Sequence, residues 1–268
     1  MKNVGVYFRK EDEQMPLLKC DFFSEVLTLS TSMTVILPKK TGNNPGGKNS
    51  PILYLLHGYS DDHTVWTRRT SIERYAEEKE IAVVMPQVDH SYYTDMAYGN
   101  KYWTFLTEEI PNTVHSMFHL SDKREDNFVA GLSMGGYGAF KWALRFPEKF
   151  SAAASLSGAL DVSGLLDRLS DNDRKKEFTQ VFGEQPVRGT ENDLLKLLKQ
   201  ENGAKKLKPK LYQSCGTEDF LYNDNITFKK ACEETDYKLE TEFGPGDHNW
   251  AYWDKKIQDV LNWLPIQK

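Results

Sequence analysis

Short apolar segments alternate with amphipathic segments along most of this chain, from residue 51 to residue 264. Pro51 to Leu56 and Ile81 to Pro86 are near-continuous apolar runs, which are typical of strands buried on both faces of a parallel sheet. Helical periodicity is found at Ile72 to Lys79 and at about Trp103 to Phe118. The repetition of β and α segments predicts an α/β fold, in which a mostly parallel central sheet carries helices on both faces.

The N-terminal part of the chain lacks this alternation. Residues 1–20 are polar and mixed, and we expect a loose leader there. Phe22 to Leu29 and Met33 to Leu37 are predicted to be two antiparallel edge strands joined by a turn at Ser30-Thr31-Ser32. Residues 41–49 are rich in Gly and Asn and are predicted to form a flexible loop.

Asn127 to Ala139 has the pattern of a short strand, a tight turn and the beginning of a helix that continues to Arg145. The turn contains Gly131-Leu132-Ser133-Met134-Gly135, which fits the Gly-x-Ser-x-Gly pattern of a nucleophile elbow. Small flanking residues are required there because the strand and the helix pass close together. The turn predicts that Ser133 is a nucleophile and that the Met134 N–H faces any oxyanion formed beside it.

The strand Pro51 to Leu56 is followed directly by His57-Gly58-Tyr59. A backbone N–H in this position supplies the other half of an oxyanion hole in proteins that have a nucleophile elbow, and we assign this donor to Tyr59 N–H. His57 is interpreted as a packed or hydrogen-bonded loop histidine.

The remaining strands are predicted at Phe150 to Ser157, Lys210 to Cys215 and Lys238 to Phe243, and a final helix at about Tyr252 to Trp263. Residues 160–207 are polar and mostly helical by pattern. We expect them to be a small helical insertion, or lid, over the site. All of residues 1–268 are predicted to form a single domain.

A serine hydroxyl needs an imidazole to remove its proton, and the imidazole needs a buried carboxylate to orient it. Asp219 and His248 follow the last two predicted strands, so they and Ser133 are expected at the same edge of the sheet. Glu218 and Asp247 are rival carboxylates. We prefer Asp219 for two reasons. Asp247 is adjacent to His248 and cannot easily reach the far nitrogen of its ring. Glu218 is adjacent to Asp219 and would point the other way.

Two aromatic residues near these loops, Tyr92 and Trp250, are assigned to substrate binding. Surface packing is the alternative interpretation of the aromatic loop that holds Tyr92. His115 and His119 lie one helical turn apart, but no Glu follows the first in the order His-Glu-x-x-His, so we predict no metal site.

Composition excludes several classes of protein. Charged residues make up 27% and hydrophobic residues 39% of the chain, which is typical of a globular protein. A net charge of −5 and a pI of about 5.8 give no reason to expect nucleic acid or an anionic membrane as a partner. The three scattered cysteines (Cys20, Cys215 and Cys232) fit reduced thiols, and with no recognisable signal peptide they predict a cytoplasmic location.

Four segments together resemble the esterase D-like family of α/β-hydrolases: His57-Gly58, Gly131 to Gly138, Gly216 to Tyr222, and Gly246 to Trp250. The chain is most similar to its tributyrin esterase and feruloyl (cinnamoyl) esterase branch, over about residues 22–264. The resemblance implies an α/β-hydrolase fold and hydrolysis of carboxylic esters without a metal or cofactor. Family members include short-chain acyl, acetyl and feruloyl esterases and S-formylglutathione hydrolases. The last group usually has His-Gly-Leu-x-Cys, where this chain continues after Gly58 with Tyr-Ser-Asp.

The sequence therefore predicts a serine carboxylesterase that hydrolyses short-chain acyl or aryl esters through an acyl-enzyme. Its partner would be a small-molecule ester, with no nucleic acid and no membrane, and a homo-oligomer stays an open option. A thioesterase such as S-formylglutathione hydrolase, or an acyltransferase, would use the same triad. A non-catalytic binding module is the alternative from a different class, although such proteins usually lose a triad residue, and this chain has all three.

Overall fold

A computed structural model describes residues 16–38, 50–200 and 207–266 of the chain, so the expectations for residues 1–15 and 41–49 lie outside the described residues. The strands are β1 (Leu17–Ser24), β2 (Leu29–Ile36), β3 (Ile52–Leu56), β4 (Ala82–Pro86), β5 (Asn127–Leu132), β6 (Ala152–Leu156), β7 (Lys210–Gly216) and β8 (Leu239–Gly244). The α-helices are α1 (Val65–Arg69), α2 (Ile72–Lys79), α3 (Tyr102–Thr104), α4 (Ile110–Met117), α5 (Met134–Arg145), α6 (Val162–Arg168), α7 (Asn172–Phe182), α8 (Leu194–Lys199), α9 (Tyr222–Glu233) and α10 (Trp250–Trp263). None of the helices in these ranges combines the length and apolar character needed to span a membrane.

The eight strands form one sheet in the order β1-β2-β4-β3-β5-β6-β7-β8. From β4 to β8 all neighbours are parallel, whereas β1 and β2 pair antiparallel with each other and β2 pairs antiparallel with β4. This confirms the predicted mostly parallel sheet with an antiparallel edge pair. The carboxyl ends of β3, β5, β6, β7 and β8 therefore meet at a single edge.

The central strand β5 is buried on both faces, as its apolar sequence predicts. Phe128, Ala130 and Leu132 face a core layer shared with α1, α2 and α10. Val129 faces the opposite layer, which α4, α5 and α8 cover. Because both faces are filled, the register of β5 is fixed, and with it the position of the residue that follows the strand.

The turn of the N-terminal hairpin is not where the sequence predicts it. Ser30-Thr31-Ser32 belongs to β2, and the turn is formed by residues 25–28, between the end of β1 and the start of β2. Thr28 adopts a left-handed conformation (φ 55°), and Ser24 Oγ accepts a hydrogen bond of 2.9 Å from the Leu27 N–H. Ser32 instead donates to the Asp21 side chain across the ladder at 2.5 Å, so the polar residues that resemble a turn form a cross-strand pair.

The helical segment predicted at about Trp103 to Phe118 contains a π-helical turn, Phe105–Glu109, between α3 and α4. The turn brings Glu109 to the N-terminal hairpin, where its carboxylate accepts hydrogen bonds from the Ser24 hydroxyl and, at 2.8 Å, from the Glu25 N–H. The hairpin is therefore held in place by a residue that is distant in sequence.

The predicted insertion at residues 160–207 contains α6, α7 and α8, which lie between β6 and β7. Asp161, Asp171 and Asp193 stand at their N-caps and accept hydrogen bonds from amides of the first turn. The insertion is anchored to α9 by an ion pair of 2.5 Å between Arg168 and the buried Asp224.

Candidate active site

Ser133 is the only residue between β5 and α5, and its backbone is strained (φ 53°, ψ −118°). Its N–H donates to the Leu156 carbonyl at 2.9 Å, and its own carbonyl accepts from the N–H groups of Tyr137 and Ala159. These bonds fix the turn from both sides, so the side chain is presented at the carboxyl edge of the sheet.

The two glycines of the motif are required by close contacts between backbones. A Cβ on Gly131 would lie 2.4 Å from the carbonyl group of Gly135, and a Cβ on Gly135 would lie 2.4 Å from the Leu56 carbonyl oxygen. Both distances are much shorter than a van der Waals contact, and the backbone atoms concerned cannot move aside independently. The Gly-x-Ser-x-Gly pattern is therefore the local condition for this sharp turn.

His248 and Asp219 meet Ser133 as the sequence predicts. His248 Nε2 lies 3.1 Å from Ser133 Oγ, and its Nδ1 lies 2.9 Å from Asp219 Oδ2. Since an ionised carboxylate only accepts, the proton is assigned to Nδ1, which leaves Nε2 free to accept from the Ser133 hydroxyl. The Asp219 side chain is fully buried, whereas that of His248 is 18% exposed.

Burial opposes the ionisation of Asp219, but hydrogen bonds outweigh it. The His248 ring and the Leu221 N–H, which donates at 2.8 Å, hold the pKa of this carboxyl below its usual value. Asp219 is therefore an anion at neutral pH, and it can stabilise a proton gained by the imidazole.

The rival carboxylates have other partners. Glu218 accepts from the Gly246 N–H at 2.6 Å and from the Thr217 hydroxyl at 2.8 Å. Asp247 accepts from the backbone N–H of His248 at 2.7 Å. Both carboxylates thus support the loop that carries His248, and neither one hydrogen bonds to its ring.

The amides of Tyr59 and Met134 lie on the two loops that meet at Ser133. A Cβ placed on Gly58 would be 3.8 Å from Ser133 Cβ, which brings the loop after β3 against the elbow. Met134 is the first residue of α5, where the helix leaves its N–H groups without internal acceptors. In the described part of the chain, neither amide hydrogen bonds to a protein group. Both are free to donate to an oxyanion.

His57 is a packed loop histidine, as its sequence context predicts. It is almost fully buried, its Nε2 accepts from the Val88 N–H at 3.2 Å, and its Nδ1 donates to the Gly58 carbonyl at 2.7 Å. Burial lowers the pKa of His57 to about 4, against the opposing effect of the Gly58 carbonyl. The ring is therefore neutral and ties the loop after β3 to the loop after β4.

The sequence analysis misses two residues that hold these loops together. The Tyr93 hydroxyl donates to the His57 carbonyl at 2.9 Å, and the fully buried Lys141 donates to the Tyr93 carbonyl at 2.9 Å and to Thr94 Oγ1 at 2.8 Å. Desolvation lowers the pKa of Lys141 well below its ordinary value. The signal that could have revealed it is a lysine in the middle of the apolar run of α5.

The loop after β4 is strained as well as buried. Asp89, Tyr92 and Tyr93 all have positive φ (47°, 49° and 50°), which is uncommon for residues with a side chain. Such conformations persist where surrounding contacts enforce them. Here Lys141 supplies those contacts from α5, so α5 and the loop after β4 are braced against each other.

Tyr92 is 5% exposed and lies in an aromatic cluster with Tyr59, Tyr137 and two rings of α7, of which Phe178 is at 4.9 Å. Helix α7 of the insertion also contacts Tyr59 directly, since the Tyr59 hydroxyl donates to Glu177 at 2.6 Å and Arg174 lies over the ring. Tyr92 is thus placed beneath α7, beside the residue whose N–H is the expected oxyanion donor.

Trp250 begins α10, and its ring packs edge-on against Trp66 and Trp253. It is Trp253 that contacts the His248 ring, at 4.9 Å. On the other side, Phe220 is 67% exposed with its ring 4.5 Å from that of His248. Phe220 was not predicted from the sequence, although its position directly after Asp219 would have indicated it.

A family model described as putative esterase matches residues 24–264 of this chain. An acetyl esterase of Caldicellulosiruptor saccharolyticus is 30% identical over 264 residues, which cover 93% of this chain and 98% of that protein.

Solved structures with a similar fold cover nearly the whole chain. FphF, a fluorophosphonate-binding serine hydrolase of Staphylococcus aureus, is 40% identical with a TM-score of 0.88 over 96% of this chain and 100% of that one. An S-formylglutathione hydrolase of the same organism is also 40% identical, with a TM-score of 0.83 over 94% and 99% of the two chains. A ferulic acid esterase is 25% identical, with a TM-score of 0.80 over 94% and 97%.

Proposed function

This chain belongs to the esterase family, it has the α/β-hydrolase fold, and we propose that Ser133, His248 and Asp219 are its catalytic triad. The family and the serine hydrolases similar to it make the protein a carboxylic ester hydrolase. The observation that carries the triad is the continuous chain of hydrogen bonds from Ser133 Oγ through the His248 ring to Asp219.

In this proposal His248 Nε2 removes the proton of Ser133 Oγ as the oxygen attacks the ester carbonyl. The carbonyl oxygen becomes an anion held by the N–H groups of Tyr59 and Met134, while Asp219 stabilises the imidazolium. When the intermediate collapses, the C–O bond to the alcohol breaks and His248 returns the proton to the leaving oxygen. Water then attacks the acyl-enzyme with His248 again as the base, and the acid is released.

The acyl group would lie on the α7 side of Tyr59, among apolar side chains. Tyr92 and Phe178 form this side, and both are nearly fully buried. A short acyl chain or a single aryl ring suits such a wall. This agrees with the acetyl esterase and the ferulic acid esterase among the relatives, and we propose short-chain acyl or aryl esters of small molecules as substrates.

A thioester is the second candidate substrate. The S-formylglutathione hydrolase of S. aureus is 40% identical to this chain, which is the same identity as that of FphF. Against this candidate, the chain has Asp61 where hydrolases of that kind usually have cysteine. S-formylglutathione therefore belongs in the same assay as the esters.

The test is a steady-state panel of p-nitrophenyl acetate, butyrate and octanoate, methyl ferulate and S-formylglutathione, with Ser133→Ala as the matched control. We expect turnover of at least one short-chain or aryl ester, and its loss in Ser133→Ala with an unchanged unfolding temperature. Activity confined to acetate and butyrate indicates a small acyl site, and turnover of methyl ferulate comparable to butyrate indicates an aryl site. Full activity of Ser133→Ala would refute the assignment, and turnover of S-formylglutathione alone would replace the ester by the thioester.

A further inference from the structure

A groove of about 480 Å³ lies between the loop after β3 and the loop after β4. We name it the polar groove. Its lining combines polar side chains with Met96, Gly99 and Tyr102, and no lysine or arginine is among the residues that form it in the described chain. Its polar lining includes Ser60, Asp61, Gln87, Asp89, His90 and Asn100.

The polar groove begins where the predicted oxyanion hole ends. Ser60 and Asp61 directly follow Tyr59 along the chain. A carboxylate oxygen of Asp61 lies 3.1 Å from the position that a Cβ on Gly58 would occupy, and Ser133 Cβ lies 3.8 Å from the same position. The Asp61 carboxylate is therefore a near neighbour of the nucleophile.

Tyr59 contacts both this groove and the apolar side. Its ring lies 5.8 Å from that of Tyr92, and His90, which lines the polar groove, stacks on it at 4.1 Å with a 15° angle between the planes. The two halves of an ester bound at Ser133 would thus meet different surroundings. Apolar acyl groups suit the Tyr92 side, and polar alcohols suit the His90 side.

The two carboxylates of the polar groove, Asp61 and Asp89, differ in their hydrogen-bond partners. Asp89 accepts from the Gln87 amide at 2.8 Å and from the Tyr102 hydroxyl. Asp61 accepts only from the backbone of Gly58, since no side chain of the described residues hydrogen bonds to it. Arg68, a nearby cation, is paired with Asp62 at 3.2 Å. Asp61 is the carboxylate that remains available to a bound molecule.

We infer that the polar groove is the subsite for the leaving alcohol, and that Asp61 makes it favour cationic or neutral alcohols over anionic ones. The inference rests on the proposed function, since it requires an ester at Ser133. A carboxylate that lies close to the bound ester attracts a cationic alcohol group and repels an anionic one. Glutathione, which carries two carboxylates, would meet unfavourable charge here.

The test compares two esters that have the same acyl group and nearly the same shape but differ in charge: butyrylcholine and 3,3-dimethylbutyl butyrate. Acid release is followed by pH-stat titration. We expect a kcat/KM ratio of roughly 5 to 10 in favour of the cationic ester, as for opposite charges a few ångströms apart with partial solvent screening. Added NaCl should lower this ratio in the wild type, because salt screens the attraction.

Asp61→Asn should bring the ratio close to one, because the amide keeps the shape and loses the charge. Glu78→Gln is the control: it removes one carboxylate from the exposed surface of α2, outside the groove lining, and should keep the wild-type ratio. An equal preference for both esters in the wild type, or a ratio that Asp61→Asn leaves unchanged, would overturn the inference while the proposed function stands. Failure to turn over either ester while p-nitrophenyl butyrate is hydrolysed would also overturn the inference, whereas turnover that Ser133→Ala retains would instead remove the proposed function.

Discussion

Replacing Tyr93 by Phe removes a single hydroxyl from the contact that joins the loop after β4 to the loop after β3. That hydroxyl donates to the His57 carbonyl at 2.9 Å, and both residues are almost fully buried. The ring itself should stay in place because it packs against α5 at Gly138, where a Cβ would lie 2.5 Å from the Tyr93 ring. The change therefore isolates the hydrogen bond.

The cost to stability follows from the carbonyl that is left behind. A buried polar group without its partner costs about 1–3 kcal/mol, and water has little access to the His57 carbonyl. For a domain of roughly this size each kcal/mol corresponds to about 2–4 °C in the unfolding temperature. We expect Tyr93→Phe to unfold several degrees below the wild type.

The effect on catalysis acts through Tyr59. The His57 carbonyl belongs to the peptide that precedes Gly58, so its release loosens the loop that presents the Tyr59 N–H. An oxyanion donor acts only when it is well placed, and complete loss of one costs roughly 10²–10³ in kcat. A misplaced donor should cost less, and we expect kcat to fall about tenfold, or ~1.4 kcal/mol, with KM nearly unchanged.

Butyrate ester kinetics and thermal unfolding are measured together, with Tyr75→Phe as the control. Tyr75 loses an equivalent hydroxyl, which donates to the Asp254 side chain at 3.0 Å and joins α2 to α10 rather than the loop after β4 to the loop after β3. The control should lose stability without the fall in kcat. If Tyr93→Phe keeps the wild-type kcat, or if both variants lose it equally, the proposed support of the oxyanion hole by Tyr93 is wrong.

Two further predictions concern α5 and the elbow. The lowered pKa of Lys141 means that the unfolded state binds more protons between that pKa and about 10.5, so stability should rise with pH there by up to about 1.4 kcal/mol per unit. Chemical denaturation at several pH values below about 10.5 should show stability rising with pH in the wild type and rising less in Lys141→Met; an equal pH dependence would contradict the assignment. Gly131→Ala forces a Cβ to within 2.4 Å of the Gly135 backbone and should lower the stability by more than about 3 kcal/mol, measured by urea unfolding. A change below about 1 kcal/mol would show that the turn is not as tight as described.

Elements that depend on local patterns were predicted well from the sequence. The helix bounds Ile72–Lys79 and Met134–Arg145 match the structure because each helix starts and ends where the apolar periodicity does. Ser133, Asp219 and His248 could be placed together because each follows a strand of a parallel sheet, and the order of these strands brings their ends to one edge.

Features that depend on distant contacts were not predicted. The hairpin turn was misplaced because Ser30 to Ser32 has turn composition, while the true turn is held by Glu109, 84 residues beyond Glu25. The role of Lys141 was missed for the same reason, because its hydrogen-bond acceptors lie on a loop 47 and 48 residues away in sequence. A sequence pattern identifies a buried lysine as unusual, but only the fold identifies the carbonyl that it serves.

The proposed base His248 follows β8, which is the last strand of the sheet and, among the described residues, pairs with β7 alone. During synthesis the elbow can therefore fold before His248 has been added to the chain, and on the proposed mechanism hydrolysis begins only once β8 has docked. The same arrangement lets an edge strand detach locally while the central sheet holds. On the proposed mechanism, hydrolytic activity reports the docking of β8 more directly than it reports the integrity of the core.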